Sequence, residues 1–150
     1  MAGSYTALYY HIVFSVKDRR PVLSPDIAPR IYEYIAGVIR VIGGVPIIVG
    51  GAVDHMHVLA RLDKAYTVSN AVRRMKAGSS KWIHETFPDM KDFAWQEGYG
   101  AFSISVTGID RTKRYIENQV VHHQTVTFQE ELLEFLKRHN IPYDEAYIWK

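Results

Sequence analysis

The stretch VPIIVGGAVDHMHVLARL, Val45 to Leu62, decides how the chain is read. Two apolar runs flank the pair Gly50-Gly51, the pattern of antiparallel strands joined by a two-residue hairpin turn. Along the second arm, strand parity sends Met56, Val58, Ala60 and Leu62 to one face and Val53, His55, His57, Leu59 and Arg61 to the other. The apolar set suits a covered core. The opposite face carries two imidazoles about 7 Å apart along the strand, close enough to tilt onto one cation. Imidazole suits Zn, Mn, Fe and Ni, and serves Mg where oxygens fill the remaining positions. Two half-exposed histidines on an open sheet face fit the same pattern, and a third ligand decides between the readings.

The neighbouring segments give the hairpin its context. Residues 5–17 alternate, with Leu8, Tyr10, Ile12, Phe14 and Val16 on one face and Tyr9, His11, Val13, Ser15 and Lys17 on the other, which predicts a strand. Helical spacing of Ile27, Ile31, Tyr34, Ile35, Val38 and Ile42 predicts a helix over 26–42, stopped by Gly43-Gly44. A second helix is expected over 67–86, with Val68, Ala71, Val72, Met75, Ser79, Trp82 and Ile83 in one stripe. AFSISV, from Ala101, alternates as a last strand. The order β-α-β-β-α-β predicts an α+β, ferredoxin-like antiparallel sheet with both helices on one face and the other face free for a site. Beyond it, Asp110 is placed to cap a helix running to about His123, and Thr127 with Glu130 forms a capping box for a helix over 128–139.

Composition bounds the function. At 150 residues, 47% hydrophobic and 23% charged, the chain reads as one domain spanning 1–150, large enough for a real core. It has no cysteine, which excludes disulfides and thiolate metal sites. No apolar run approaches the ~20 residues of a membrane span, and MAGSYTALYYHIVF lacks the features of a signal peptide, so a cytoplasmic location is expected. Net charge is only +2, but it is unevenly distributed. Basic residues cluster at Lys17, Arg19 and Arg20, at Arg73, Arg74, Lys76 and Lys81, and at Arg111, Lys113 and Arg114, while acidic residues concentrate late. Such sidedness makes a positive patch without a large net charge.

In RTKRYIENQVVHHQ, from Arg111, Tyr115 and Gln119 stand one helical turn apart, with His122 and His123 continuing their surface and Ile116 and Val120 forming the packing stripe. A phenol, an amide and an imidazole therefore stand in a row.

DHMHVL followed by RYIENQ resembles the single-tyrosine HUH transposases of short insertion sequences and their relatives acting on repetitive extragenic palindromes. The likeness extends to FSVKDRRPVL, AVRRMKAGSSKWI, WQEGYGAFSISV and LLEFLKRHNIPYDEAYIW. The resemblance implies that His55, His57 and Gln119 hold a divalent cation, Mg²⁺ or Mn²⁺, and that Tyr115 attacks single-stranded DNA at hairpin-bearing ends to leave a 5′-phosphotyrosine and a free 3′-hydroxyl. It also implies a homodimer, in which the tyrosine helix, hinged near Gly108, completes its own or the partner's site.

A free phenol has a pKa of ~10, so the site must lower it or take its proton during attack. His122, on the tyrosine face, is the candidate base, whereas strand parity turns Asp54 away. Lys17, Arg19, Arg20, Arg73, Arg74, Lys76 and Lys81 are the candidate phosphate contacts. Tyr99 or Trp95 could stack on unpaired bases, though core anchoring suits Trp95 better. Two rivals keep the same fold. A non-catalytic single-stranded nucleic-acid-binding domain would display aromatics on its central strands. A metal-dependent hydrolase would use water as nucleophile.

Overall fold

A computed structural model describes residues 3–150; Met1 and Ala2, the start of the N-terminal stretch considered above, lie outside the described residues. The sheet has strands β1 (Tyr9–Ser15), β2 (Val45–Ala52), β3 (His55–Arg61) and β4 (Gly100–Ile104), ordered β2-β3-β1-β4 with every pairing antiparallel. Helices α1 (Ala28–Val41) and α2 (Val68–Thr86) complete the β-α-β-β-α-β unit. Three further helices follow: α3 (Ile109–Glu117), α4 (Gln119–His122) and α5 (Phe128–Arg138). This is the expected ferredoxin-like arrangement. No described helix is long and apolar enough to cross a membrane.

Parity holds on the core side. Ile12 and Phe14 of β1, with Val16 just after it, pack with Met56, Val58, Ala60 and Leu62 against Ile31, Ile35 and Ile39 of α1 and Val72, Met75 and Ile83 of α2. Trp95 belongs to this core: it meets Phe14 and Phe93 edge to face and donates its indole N–H to Ser79 Oγ at 2.9 Å. It is therefore an anchor rather than a platform for bases.

The other sheet face departs from expectation, because it is covered. Val13 and Phe102 meet Phe128, Leu132, Phe135 and Leu136 of α5 in a second apolar cluster, with Tyr115, Ile148 and Trp149 at its border. His55 and His57 are 0% exposed, so the site is an interior one. The hairpin turn also falls elsewhere, at Val53-Asp54, and Val53 is exposed. Gly50 and Gly51 lie inside β2, opposite His57 and Met56. The physical reason is close approach. A side chain at Gly51, where φ is 153°, would collide with the His55 carbonyl oxygen. One at Gly50 would press on Ile116 Cγ2 at 3.1 Å. The bare backbone at Gly50 is what lets the tyrosine helix settle on the sheet.

The helix expected from Asp110 to His123 is broken. Gly108 is the N-cap residue and Asp110 makes no side-chain cap, lying instead in the first turn where its charge favours the helix dipole. At Asn118, φ −94° and ψ 15° interrupt the helix. The break keeps Ile116 and Gln119 buried but turns Val120 out to 67% exposure, which removes it from the packing stripe. The Thr127–Glu130 capping box of α5 forms as expected.

Candidate metal centre and nucleophile

The two histidines of β3 present their Nε2 atoms to the same point. His57 Nε2 lies 2.9 Å from Glu131 Oε1, and His55 Nε2 lies 3.5 Å from the same oxygen. Gln119 Oε1 is 3.0 Å from His55 Nε2, while its Nε2 donates to Glu131 Oε2 at 3.2 Å. The Tyr115 hydroxyl donates to Glu131 Oε2 and stands 3.3 Å from His122 Nε2. Expected residues from β3, α3 and α4 thus converge within one chain, around a carboxylate from α5.

Each histidine is held from behind. His55 Nδ1 is 2.7 Å from Asp54 Oδ1, and His57 Nδ1 is 2.7 Å from His11 Nε2. Asp54 sits in the turn, where strand parity does not apply, which is why it reaches the site after all. Its carboxylate takes the Nδ1–H of His55, and in the neutral ring that leaves Nε2 carrying a lone pair. That lone pair faces the Gln119 carbonyl oxygen, so two acceptors stand 3.0 Å apart. A cation between them resolves the conflict, and an outer partner on each ligating imidazole is what metal sites require. The residues present therefore fit a divalent ion. His55, His57, His123 and Glu131 each offer a ligand atom within 4.8 Å of the others.

The electrostatics follow from burial. Desolvation pushes His57 down to about 4, against the pull of Glu131. It also lowers His11 well below the ordinary imidazole value, helped by His57 beside it. Burial, then the Glu131 carboxylate, drives the Tyr115 phenol upward, so the hydroxyl is held protonated. Burial alone would raise Glu131, but the imidazoles of His123 and His57 beside it hold it well below the usual carboxylate range.

Glu131, His123, His11 and Asp54 complete the site beyond the residues foreseen as ligands. Glu131 had a signal: Phe128, Glu131, Leu132, Phe135 and Leu136 are the buried stripe of α5, and a carboxylate in such a stripe asks for partners.

The basic candidates divide. Lys76 is withdrawn from the phosphate role, because its ammonium donates to the carbonyls of Gln96, Glu97 and Gly98 at 2.8, 3.3 and 2.6 Å. Arg20 pairs with Asp92 at 3.1 Å, and Arg19 lies over the Trp149 ring. Lys17, Arg73, Arg74 and Lys81 are exposed, and the last three lie on α2, in the layer across the sheet from the histidines. Tyr99 is exposed, 5.7 Å from the Lys76 ammonium. A cleft of about 800 Å³ opens beside the phenol instead, lined by His11, Arg111, Tyr115, His122, Glu131 and Arg138 among others.

The family model described as "Transposase IS200 like" matches residues 4–119. The chain is 23% identical over 122 residues to the ISDra2 transposase TnpA of Deinococcus radiodurans, covering 78% of this chain and 87% of that one. Its fold is similar to the crystal structure of a candidate transposase from Deinococcus radiodurans, with a TM-score of 0.66 and 22% identity, over 79% of this chain and 95% of that one. It is also similar to a REP-associated tyrosine transposase bound to a REP hairpin, with a TM-score of 0.60 and 20% identity, over 84% and 74%. With most of its length matched and the HxH and YxxxQ residues side by side, the chain belongs to the IS200-like family of single-tyrosine transposases.

Proposed function

We propose that this transposase breaks and rejoins single-stranded DNA at hairpin-bearing element ends through a covalent 5′-phosphotyrosine. The observation that carries the reading is the meeting of Tyr115, Gln119, His55 and His57 at one buried carboxylate. His55, His57 and Gln119 would hold Mg²⁺ or Mn²⁺, which when bound would supply positive charge to polarise a scissile phosphate. The remaining work falls to the chain. Tyr115 Oη attacks phosphorus, an O–P ester forms, and the bond to the 3′ oxygen breaks. The phenolic proton has two acceptors within reach, Glu131 Oε2 and His122 Nε2. The released 3′ oxygen takes up a proton and leaves as a hydroxyl. Later attack by such a hydroxyl on the phosphotyrosine reseals a strand without ATP, because the ester conserves the bond.

The strand reaches Tyr115 through the cleft beside it, where Arg111 stands for the phosphates and Arg138 faces Glu134 at 3.8 Å. A REP hairpin is bound by one protein of similar fold, and the same class of ligand suits this one. A homodimer of this chain would work with two cis sites, since each tyrosine already faces its own histidines.

The test incubates the protein with single-stranded hairpin oligonucleotides and Mg²⁺ or Mn²⁺ and runs a denaturing gel. Wild type is expected to leave a covalent adduct that Tyr115→Phe does not. A released fragment with no adduct in wild type would mean hydrolysis; binding with neither would mean a bare binding domain.

A further inference from the structure

We infer that the cation site is larger than the HxH pair and the glutamine: Glu131 and His123 are also ligands, and together with His55 and His57 they make a three-imidazole, one-carboxylate site for a transition-metal dication. The inference rests on the reading of His55 and His57 as metal ligands, and extends it to two residues on the far side of the tyrosine segment.

Three observations carry it. The first is spacing. Glu131 Oε1 lies 2.9 and 3.5 Å from Nε2 of His57 and His55, and Glu131 Oε2 lies 3.2 Å from Nε2 of His123. One ligand atom from each of the four residues lies within 4.8 Å of the others, a spread that small side-chain shifts close onto one ion with ligands at ~2.0–2.2 Å. The second is an orphan. His123 Nε2 is buried and, among the described residues, has no hydrogen-bond partner of acceptable geometry, though its side chain is only 10% exposed and the atom points at Glu131. A buried nitrogen aimed into a cluster of ligand atoms and satisfied by none of them is placed for a cation. The third is chemistry. Imidazoles favour Mn²⁺, Fe²⁺, Ni²⁺ or Zn²⁺ over Mg²⁺, which prefers oxygen ligands and retained waters. Three imidazoles and a carboxylate therefore hold a transition-metal dication more tightly than Mg²⁺.

The arrangement has a further consequence for the fold. His123 follows α4 and Glu131 belongs to α5, so a cation bound by all four residues ties both helices to β3.

Isothermal titration of the full chain with MnCl₂, ZnCl₂ and MgCl₂ tests this, with Mn²⁺ electron spin resonance as a second readout of nitrogen ligation. Wild type is expected to bind Mn²⁺ or Zn²⁺ at least about 100-fold more tightly than Mg²⁺. His123→Asn and Glu131→Gln should each weaken that binding beyond the ~10–100-fold that loss of an outer partner costs. Either variant binding Mn²⁺ and Zn²⁺ like wild type would overturn the assignment for that residue, and equal affinity for Mg²⁺ would overturn the metal class. Thermal unfolding without metal identifies a variant that has merely lost its fold; should Glu131→Gln do so, His123→Asn, which leaves the Glu131 contacts to His57 and Tyr115 in place, still decides. Failure of the transposase reading shows differently, as metal binding intact with no adduct on the denaturing gel.

Discussion

His11 Nε2 and His57 Nδ1 lie 2.7 Å apart in the protein interior, with one proton between them. With no cation present, Glu131 Oε1 takes the Nε2–H of His57 at 2.9 Å, so His57 Nδ1 accepts from His11. For His57 to ligate through Nε2, that proton must move to Nδ1 and be donated to His11. His11 is thus the positioning residue that allows either tautomer. His11→Phe is expected to lower Mn²⁺ affinity about 10–100-fold. His11→Gln, which keeps a donor and an acceptor on one side chain, is expected to recover most of it. Titration calorimetry on both variants measures the difference, and equal affinities would remove His11 from this role.

This pairing also marks where sequence reasoning reaches. Parity alone placed His11 on the face of His55 and His57, and the order of elements was enough for the fold. What parity does not contain is register across strands, and it is register that sets Val13 opposite His57 and brings His11 diagonally against the same ring. The Gly50-Gly51 pair read as a turn because glycines most often serve that purpose in hairpins. Here their missing side chains make room for Ile116 and for the backbone of β3, a tertiary demand invisible locally. Strand parity turns Asp54 away only because a turn at Gly50-Gly51 lies three residues before the one Asp54 belongs to. Glu131 was legible in principle, as the single charge in the buried stripe of α5.

Acid should unfold the metal-free protein by way of these same imidazoles. His57 is held down to about 4, against ~6.5 in an unfolded chain. Between those values the unfolded chain binds a proton that the folded chain refuses, so stability falls as pH falls through that window. His11, lowered by the same burial, adds to the loss. His123 acts oppositely: its value is raised, so its contribution is full below ~6.5 and fades as pH rises through its folded value. Glu131, held low, loses its contribution only as pH falls below ~4.3 and through its folded value. Urea unfolding in EDTA is expected to show a loss of about 2–3 kcal/mol from His57 alone between pH 7 and pH 4.5. In His57→Phe that share should vanish, flattening the profile.

Tyr115 is expected to resist ionisation until its acceptor changes. Burial and the neighbouring Glu131 carboxylate raise the phenol above its ordinary value, so alkaline titration followed near 295 nm should lose no transition below about pH 11 when Tyr115→Phe replaces wild type. Glu131→Gln removes the charge but keeps a hydrogen-bonding side chain, and Tyr115 should then titrate at lower pH. A transition near pH 10 in wild type that vanishes in Tyr115→Phe would mean the phenol does not sit against Glu131 in solution.

The cleft, rather than the α2 face, is expected to hold the strand next to the scissile phosphate. Arg111 and Arg138 line the same cavity as Tyr115, whereas Arg73 and Arg74 lie across the sheet. Each lost phosphate contact lowers the slope of log affinity against log salt by about 0.7 for single strands. Arg111→Ala should therefore weaken binding of an unpaired oligonucleotide and flatten its salt dependence by about that amount. Arg73→Ala should leave both unchanged for the same oligonucleotide. Lys76→Met belongs to a different class, because it strands three carbonyls of the loop after Trp95. It should cost about 2–4 kcal/mol in urea unfolding, with no change in the salt slope of the folded protein. Fluorescence anisotropy over a range of salt concentrations separates the three, and a flattened slope in Arg73→Ala with an unchanged one in Arg111→Ala would move the strand to the helix layer.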